Sequence, residues 1–412
     1  MTGRRLPRAL VALLPLVVPV AVTMAAPRVA HAAGFLIYDL SGEAVGRASA
    51  VSAHVDEPAA VWFNPAALAF MGPAASAGSV FVTAKSRFSP EGGGASTDSE
   101  RGNFFLPTVF ANTPVSNRVA VGLGVYTAFG IGVRWPDDWA GGEATVAASL
   151  ETLAINPTVA VRLDHRLSLA LGFDAIRGAV DFTNALPALA GGDVRLGGGT
   201  WGFGGNAALL YRPLPNQLQV ALTYRSRVRL KFDGQADFDP THPDFAPALP
   251  DQPGTATITL PDAFTLGVMF RPRADLTLEA DLNYVLWSTY DRIDIAFQSA
   301  PAHVIQPDGR NAITARVGGD FRLPHPNLHL RAGFIFDQQT IPSASLGPGL
   351  PDGNRLDGTV GVGYTIDRFT ADLGYMLVYV LPADSTTGRE GPVGTYHTIA
   401  QLVGLTLRAR WP

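Results

Sequence analysis

Arg225, Arg227, Arg229 and Lys231 follow one another at every second position within the run 217–233, on the row of Gln217, Gln219, Ala221, Thr223 and Asp233 and opposite Leu218, Val220, Leu222, Tyr224, Val228, Leu230 and Phe232. Such residues are suited to recognition rather than bond-breaking, because a guanidinium matches a carboxylate in a planar, two-point geometry. Further ionisable residues of mixed sign recur in similar settings: Glu279, Asp281, Arg316, Asp320, Arg322, Arg331, Asp337 and Arg355. Either they pair with one another across an interior, or an arginine among them meets a ligand carboxylate. Catalytic constellations are missing: the chain has no H-E-x-x-H, no G-x-S-x-G and no P-loop. Its eight histidines are scattered, and it has no cysteine, which excludes disulfides and thiolate metal sites. No enzyme activity, metal or cofactor is expected, and an outer-membrane hydrolase is the enzyme alternative.

The elements that must position these charges read as long strands. Period-two alternation across 217–233 is too long and too regular for an ordinary soluble strand. A basic side chain facing lipid at the bilayer midplane costs ~2–4 kcal/mol, falling to ~0–1 near the interface. The four bases are therefore expected to face a lumen and the even-numbered apolar residues to face lipid. The same pattern sets Leu276, Leu278, Ala280, Leu282, Tyr284 and Leu286 against Thr277, Glu279, Asp281 and Asn283. It recurs with Leu328, Leu330, Ala332, Phe334 and Phe336, with Phe369, Leu373, Tyr375 and Leu377, and with Ile399, Val403, Leu405, Leu407 and Trp411.

Fourteen strands follow, at about 74–89, 102–112, 118–130, 149–163, 166–183, 200–212, 216–233, 255–271, 275–298, 311–323, 327–338, 355–366, 368–381 and 395–411. Short connections (112–117, 164–165, 213–215, 272–274, 324–326 and 367) alternate strictly with long ones. An up-and-down outer-membrane barrel has short periplasmic turns and long outer loops, so both chain ends are expected in the periplasm. A soluble β-sandwich gives no reason for that alternation. Trp135, Trp139, Trp201, Trp287, Tyr290, Tyr379 and Trp411 sit near strand ends, where aromatic girdles belong.

Composition agrees. The chain is 47% hydrophobic and 16% charged with 44 glycines, against ~25% charged in soluble domains, yet no window after residue 32 offers ~18 consecutive apolar residues. Residues 1–32 read as a signal peptide: Arg4, Arg5 and Arg8, an apolar run over 9–26, and Ala30-His31-Ala32 as a cleavage site. Pro15 and Pro19 interrupt the run and argue against a membrane anchor. Four of the 31 basic residues and none of the 35 acidic ones lie in this segment, so the remainder has a net charge of −8. No basic excess is left to neutralise nucleic-acid phosphates.

One long stretch beyond the signal lacks strand character, residues 33–71. It is rich in small residues and contains Asn64-Pro65-Ala66, a helix start in which Asn caps free N–H groups and Pro suits the first turn. A compact element preceding a barrel has its interior to fill. The domains expected are a signal (1–32), a hatch (33–73) and a transmembrane barrel (74–412).

These motifs together resemble the FadL family of outer-membrane transporters of long-chain fatty acids and other hydrophobic compounds. The resemblance covers nearly the whole chain after the signal. Its motifs are Ala33-Gly34-Phe35, Gly46-Arg47-Ala48, Asn64-Pro65-Ala66-Ala67-Leu68, the stretch 150–163, Trp201-Gly202-Phe203-Gly204 and the stretch 221–226. Leu260-Pro261, Trp287-Ser288-Thr289-Tyr290, Arg331-Ala332-Gly333-Phe334, Phe336-Asp337, Pro342, Pro351-Asp352 and Arg355 continue the series. It implies an all-β, 14-stranded antiparallel barrel plugged by a small helical hatch, present as a monomer in the bacterial outer membrane. It implies uptake without a cofactor: a fatty acid or similar molecule enters a pocket near the hatch start and leaves sideways through an inward kink in the third strand. The alternatives are an aromatic hydrocarbon channel of the same fold and a general porin for small polar solutes. The resemblance places Phe35, and Arg177 on strand five, at the ligand pocket. The apolar residues on or near strands two and three are mostly expected to face lipid, with Phe105, Tyr126 and Phe129 the candidates to line the pocket; Arg331 and Asp337 are its candidates among the luminal charges, and Asn64, Pro65 and Ala66 are the expected gate. The chain departs from the family in a shorter loop after strand five, about 185–199, and in ending Trp411-Pro412 rather than on a terminal aromatic.

Overall fold

The structure is a computed structural model that describes residues 35–186, 191–299, 302–324 and 327–411. The signal segment expected over 1–32, and Ala33-Gly34, lie outside the described residues. In chain order the strands are β1 (Ala74–Pro90), β2 (Thr97–Asp98), β3 (Gly102–Pro114), β4 (Val119–Tyr126), β5 (Gly130–Arg134), β6 (Ala147–Arg162), β7 (Leu167–Ala185), β8 (Asp193–Leu214), β9 (Leu218–Arg225) and β10 (Val228–Asp239). They continue with β11 (Gln252–Leu260), β12 (Ala263–Arg273), β13 (Leu276–Val285), β14 (Ile293–Phe297), β15 (His303–Ile305), β16 (Ala312–Arg322), β17 (Leu328–Asp337), β18 (Arg355–Ile366), β19 (Phe369–Ser385) and β20 (Gly394–Arg410).

Among the described residues, twenty strands make fourteen staves. β2 and β15 are loop strands paired on β1 and β14. Four staves are each built from two strands end to end: β4 with β5, β9 with β10, β11 with β12 and β13 with β14. Every pairing is antiparallel, and β1 closes the barrel on β20 from Ala74↔Arg410 to Pro90↔Gly394. Short turns share one end of the barrel with the two ends of the strand chain, and the long loops share the other. The loop after the fifth stave is shorter than expected, because β7 runs to Ala185 and β8 begins at Asp193.

Alternation works as the sequence indicates on most staves. Leu278, Leu282, Phe334, Leu373, Leu405 and Leu407 are exposed on the outside, whereas Glu279, Asp281, Arg331 and Asp372 are buried inside. The run 217–233 corrects that reading. In β9 the odd residues point inward, with Ala221 buried and Leu222 exposed; in β10 Val228, Leu230 and Phe232 are buried, and Arg229 and Lys231 are exposed. The cause is a bulge. From Arg225 to Asp233 this stave takes eight steps, while its neighbour β8 takes seven from Asn206 to Gly199. Ser226 sits in the surplus, donating its N–H to Gly205 O and its Oγ accepting from Gly205 N, 2.9 Å each. One extra residue swaps the faces of a strand, so one even-numbered apolar row faces outward in β9 and inward in β10.

The inversion divides the barrel into two zones. In the terminal half the exterior is apolar and the interior polar. In the loop half of staves 7 to 9 the interior is apolar, with Phe232, Ile258, Leu260, Ile293 and Ile295 buried, and the exterior carries Arg227, Arg229, Lys231 and Asp233. Bases outside lipid at midplane would be prohibitive, but beyond the interface the cost vanishes. The girdle expectation divides along the same lines. Trp201 and Tyr379 are exposed on the outside, while Trp135, Trp139, Trp287 and Tyr290 are buried in the interior.

The hatch crosses the lumen of the terminal half. It holds α1 (Gly42–Gly46), α2 (Ala60–Phe63) and a 3-10 turn (Pro65–Phe70). Helix α1 lies flat against staves 11 to 14 through glycine on glycine: a Cβ on Gly46 would sit 2.9 Å from Gly361 Cα, and one on Gly374 2.5 Å from Gly42 O. The Gly-x-x-x-Gly spacing of α1 is what lets a helix backbone approach that closely.

Candidate functional site

Three features define the site: a chamber at the loop end, an interruption in the third stave, and the start of the hatch between them. The chamber has a volume of about 1000 Å³, large for a small-molecule pocket. Its wall is the apolar interior of the inverted zone, including Phe232, Ile258, Ile293 and Ile295, joined by Val180 and Phe182 of β7. The ionisable residues at this chamber are Asp137, Asp138, Glu143, Glu390, His303 and Arg389. Arg389 is tied to Asp308 and to Glu390, the latter at 3.6 Å.

The third stave breaks between Tyr126 and Gly130. Against β6, Tyr126 pairs with Ala154 and Gly130 with Glu151, so four steps on this stave oppose three. Thr152 steadies the surplus residue: its Oγ1 accepts from Phe129 N at 3.2 Å and donates to Phe129 O at 2.6 Å. On the other side, β4 pairs with β3 only from Pro114↔Ala120 to Val109↔Val125. Beyond Val109, β3 has no ladder to β5 among the described pairings, which leaves a seam in the wall.

The start of the hatch adds a short edge at that break. Ile37 N donates to Ala128 O at 2.7 Å, and Gly130 N donates to Phe35 O at 2.9 Å. Phe35 is buried beneath the chamber, its ring 4.8 Å from Trp287, 5.0 Å from Tyr290 and 6.2 Å from Phe129. Tyr290 also lines the chamber. On the far side of this segment lies a space of about 40 Å³ lined by Leu36, Tyr38, Trp62, Phe129, Arg225 and Arg316. Phe35 and Leu36 thus separate two cavities, and Phe129 and Ile131 of the broken stave each border one.

The hatch is held by ion pairs. Arg331 reaches Asp320 at 2.7 Å, Asp372 at 2.6 Å and Glu43 at 3.5 Å; Arg408 reaches Glu43 at 3.4 Å. Arg47 pairs with Glu43 and Glu279, both at 3.2 Å. Glu279 and Asp281 accept backbone N–H groups from Val51, Ser52, Ala53 and His54. Burial pushes Glu43 up, but the guanidiniums of Arg331, Arg408 and Arg47 hold it below the ordinary carboxylate value. Glu57, which accepts from Ser41 Oγ at 2.5 Å, goes the other way. Burial, and then the neighbouring Glu43 charge, push it up to about 8.

The residues expected at a ligand pocket part company. Phe35 and Phe129 meet at the break. Tyr126 is buried just below it, its hydroxyl donating to Asn156 Oδ1 at 3.2 Å and its ring 5.2 Å from Trp62. Phe105 and Arg177 are corrected, since both are exposed on the outer face. Arg331 and Asp337 lie in the ion-pair layer, Asp337 accepting from Arg355 at 2.8 Å and from Thr314 at 2.7 Å. At the expected gate, Asn64 caps the 3-10 turn through Ala66 N at 3.0 Å and donates Nδ2 to Ser52 O at 2.8 Å, both inside the hatch. Ala66 O reaches the wall, accepting from Ser168 Oγ at 2.7 Å. Sequence reasoning missed Leu36 and Ile37, which pair with the break, and it assigned Trp287 and Tyr290 to the girdle. The Trp-x-x-Tyr spacing fits a single turn that points both rings at Phe35, which is the signal available in the sequence.

Residues 23–410 match the model of a family described as outer membrane protein transport protein (OMPP1/FadL/TodX). The chain is 28% identical to the long-chain fatty acid transport protein of Salmonella typhi over 398 residues, 88% of this chain and 90% of that one. It is 26% identical to the long-chain fatty acid transport protein of Escherichia coli over 409 residues, 88% of this chain and 91% of that one. In fold, it resembles a Pseudomonas aeruginosa FadL homologue with a TM-score of 0.83 at 20% identity, covering 92% of this chain and 100% of that one. The Ralstonia pickettii toluene transporter TbuX follows with a TM-score of 0.69 at 17% identity, over 91% of this chain and 100% of that one.

Proposed function

We propose, from the premise that this chain belongs to the OMPP1/FadL/TodX family of outer membrane transport proteins, that it carries long-chain fatty acids or similar hydrophobic molecules inward across the outer membrane. The observation that carries the reading is an apolar chamber bordered by Ile131 of the broken third stave, with the hatch start, Phe35 and Leu36, bonded to that break between the chamber and a second, smaller cavity. A molecule leaving water gains ~25 cal/mol per Å² of apolar surface buried in such a chamber. Displacement of the hatch start then opens a path to the seam, and the ligand leaves sideways rather than through the hatch. No energy source is needed beyond the gradient. The loop end faces outward and both chain ends lie in the periplasm, as the alternation of long loops and short turns supports. The barrel acts as a monomer, delivered by the signal at 1–32.

A second reading, uptake of neutral hydrocarbons, is favoured by one observation. The charged groups at the chamber are mostly carboxylates, and Arg389 is already engaged by Asp308 and Glu390. A fatty acid carboxylate gains no unengaged arginine there among the described residues, whereas an uncharged molecule needs none. The deciding measurement is binding and uptake of labelled oleate and labelled toluene by the purified protein in liposomes. Oleate uptake supports the first reading and toluene alone the second. If neither is bound, the transport reading fails.

A further inference from the structure

The bases that the bulge turns outward form a belt. Arg177 on β7 pairs across to Trp201 on β8. Asp233 on β10 pairs with Gly199, and continuing that register places Lys231 beside Trp201 and Arg229 beside Phe203. The close approach of Gly202 to Leu230 and to Arg229 O fits that register. Arg227 follows at the bulge, bonded to Asp262 at 2.7 Å. Arg177, Arg229 and Lys231 have no carboxylate within ion-pair distance among the described residues; Arg177 only donates to Thr200 O at 3.2 Å and Gly178 O at 3.4 Å. On the next stave the same level carries hydroxyls, with Lys231 opposite Thr257 and Arg229 opposite Thr259.

Level with Arg229 and below it the surface becomes lipid-like. Phe173 and Phe203 stack at 5.9 Å, and Tyr224 and Phe264 lie 4.9 Å apart, all on the outer face. Arg177 is four residues past Phe173, so at ~3.4 Å per residue and a tilt of ~40° it sits roughly 10 Å above it. That is headgroup height above an aromatic girdle.

We propose that this belt docks the phosphates of a phosphorylated glycolipid, lipopolysaccharide of the outer leaflet. Two guanidiniums and an ammonium, adjacent and with no described carboxylate at ion-pair distance, match phosphate oxygens in charge and in two-point geometry, while the exposed Asp233 and Asp181 stand further toward the loop end. The surrounding threonines offer donors to sugar and phosphate oxygens, and the girdle below packs the acyl chains. This inference rests on the proposed outward placement of the loop end.

The test is binding of deep-rough lipopolysaccharide to the purified full-length protein in detergent, counted by native mass spectrometry. The wild type is compared with R177Q/R229Q/K231Q, with R177K/R229K and with R292Q, whose outer-face arginine is already paired to Asp294. The triple variant is expected to bind about 100-fold more weakly, at about tenfold or less per base lost, and its affinity should vary less with salt. The lysine variant, which keeps the charge but loses the two-point geometry, should fall between wild type and the triple variant; R292Q should stay near wild type, and phosphatase-treated lipid should bind the wild type poorly. Heat-modifiable gel mobility confirms that each barrel is folded. Equal binding by the triple variant, or equal binding of dephosphorylated lipid, overturns the proposal. Neither arm contains a transport substrate, so the result is independent of oleate or toluene uptake. Failure of the outward placement would show separately, as labelling of a loop-end cysteine in intact cells only after the membrane is opened.

Discussion

Asn64 uses both ends of its amide within the hatch. Its Oδ1 satisfies Ala66 N, one of the free donors at the start of the 3-10 turn, and its Nδ2 covers Ser52 O. Asn64→Ala removes a cap worth ~0.5–2 kcal/mol and leaves a buried carbonyl unpaired, at ~1–3 kcal/mol more. Neither bond involves the barrel, so the loss is confined to the hatch. Hydrogen exchange should therefore speed up tenfold or more over residues 60–70, with β-strand protection and heat-modifiable mobility unchanged. Uptake measured on the same variant separates two roles. Altered uptake places Asn64 on the gating path, and unchanged uptake leaves it a cap. Phe35 differs in kind, since its ring touches Trp287, Tyr290 and Phe129, which belong to two staves and not to the hatch.

Elements in this barrel are shaped by surplus residues. At the third stave the surplus between Tyr126 and Gly130 frees Ala128 O and Gly130 N to bond the hatch start. Deleting Ala128 equalises the count with β6, closes the ladder and removes a hatch bond. The expected outcome is a folded barrel that still binds ligand in the chamber but takes it up at least tenfold more slowly, measured by pairing equilibrium binding with liposome uptake. Loss of binding together with uptake would mean that the deletion damaged the chamber instead. Helix α1 makes a second element-scale prediction. A Cβ at Gly42 would overlap Asp372 O, so Gly42→Val should lift α1 from its glycine bed. Single-channel conductance should rise while the barrel persists, and conductance at the wild-type level would show that the wall yields instead. These elements also mark how far sequence reaches. The fourteen staves were legible because each must alternate over a full membrane crossing, as 276–286 and 369–377 do. The bulge at Ser226 was not, because Leu218 to Phe232 keeps one apolar parity straight through it, and only the count of residues on β8 reveals the swap. Arg177 and Phe105 are a different case: a family motif or apolar character places a residue on a strand but not on a face, and both stand on the outward row. The hatch was legible as a break in alternation; its glycine bed was not read, although Gly42 and Gly46 stand four apart.

Taken whole, the molecule is a tube whose hatch is locked by charges of known sign, which makes the lock pH-dependent. Glu43, Glu57 and Asp372 present oxygens within 4.8 Å of one another, and Arg331 and Arg408 supply the opposing charge. Glu57 keeps its proton to about 8 in the docked hatch, against an ordinary value of 4.5. Between those values the docked state binds more protons than the released one, so raising pH favours release. The stability from this group is full below pH 4.5, declines across the window and is gone once pH passes about 8. Glu43 has the opposite sign: held low by arginines, its contribution is present above its ordinary value and is lost as pH falls below it. The lock should therefore be weaker at both extremes. Exchange of hatch amides, corrected for intrinsic rate, is expected to rise severalfold from pH 5.5 to 8.5, and ion conductance of reconstituted barrels to rise with it. Glu57→Gln keeps the side chain neutral and its acceptor oxygen toward Ser41 at all pH values, so both curves should flatten on the alkaline side while the acid side, set by Glu43, stays. Parallel alkaline curves for wild type and variant would remove Glu57 from the lock and leave the arginine pairs alone to hold it.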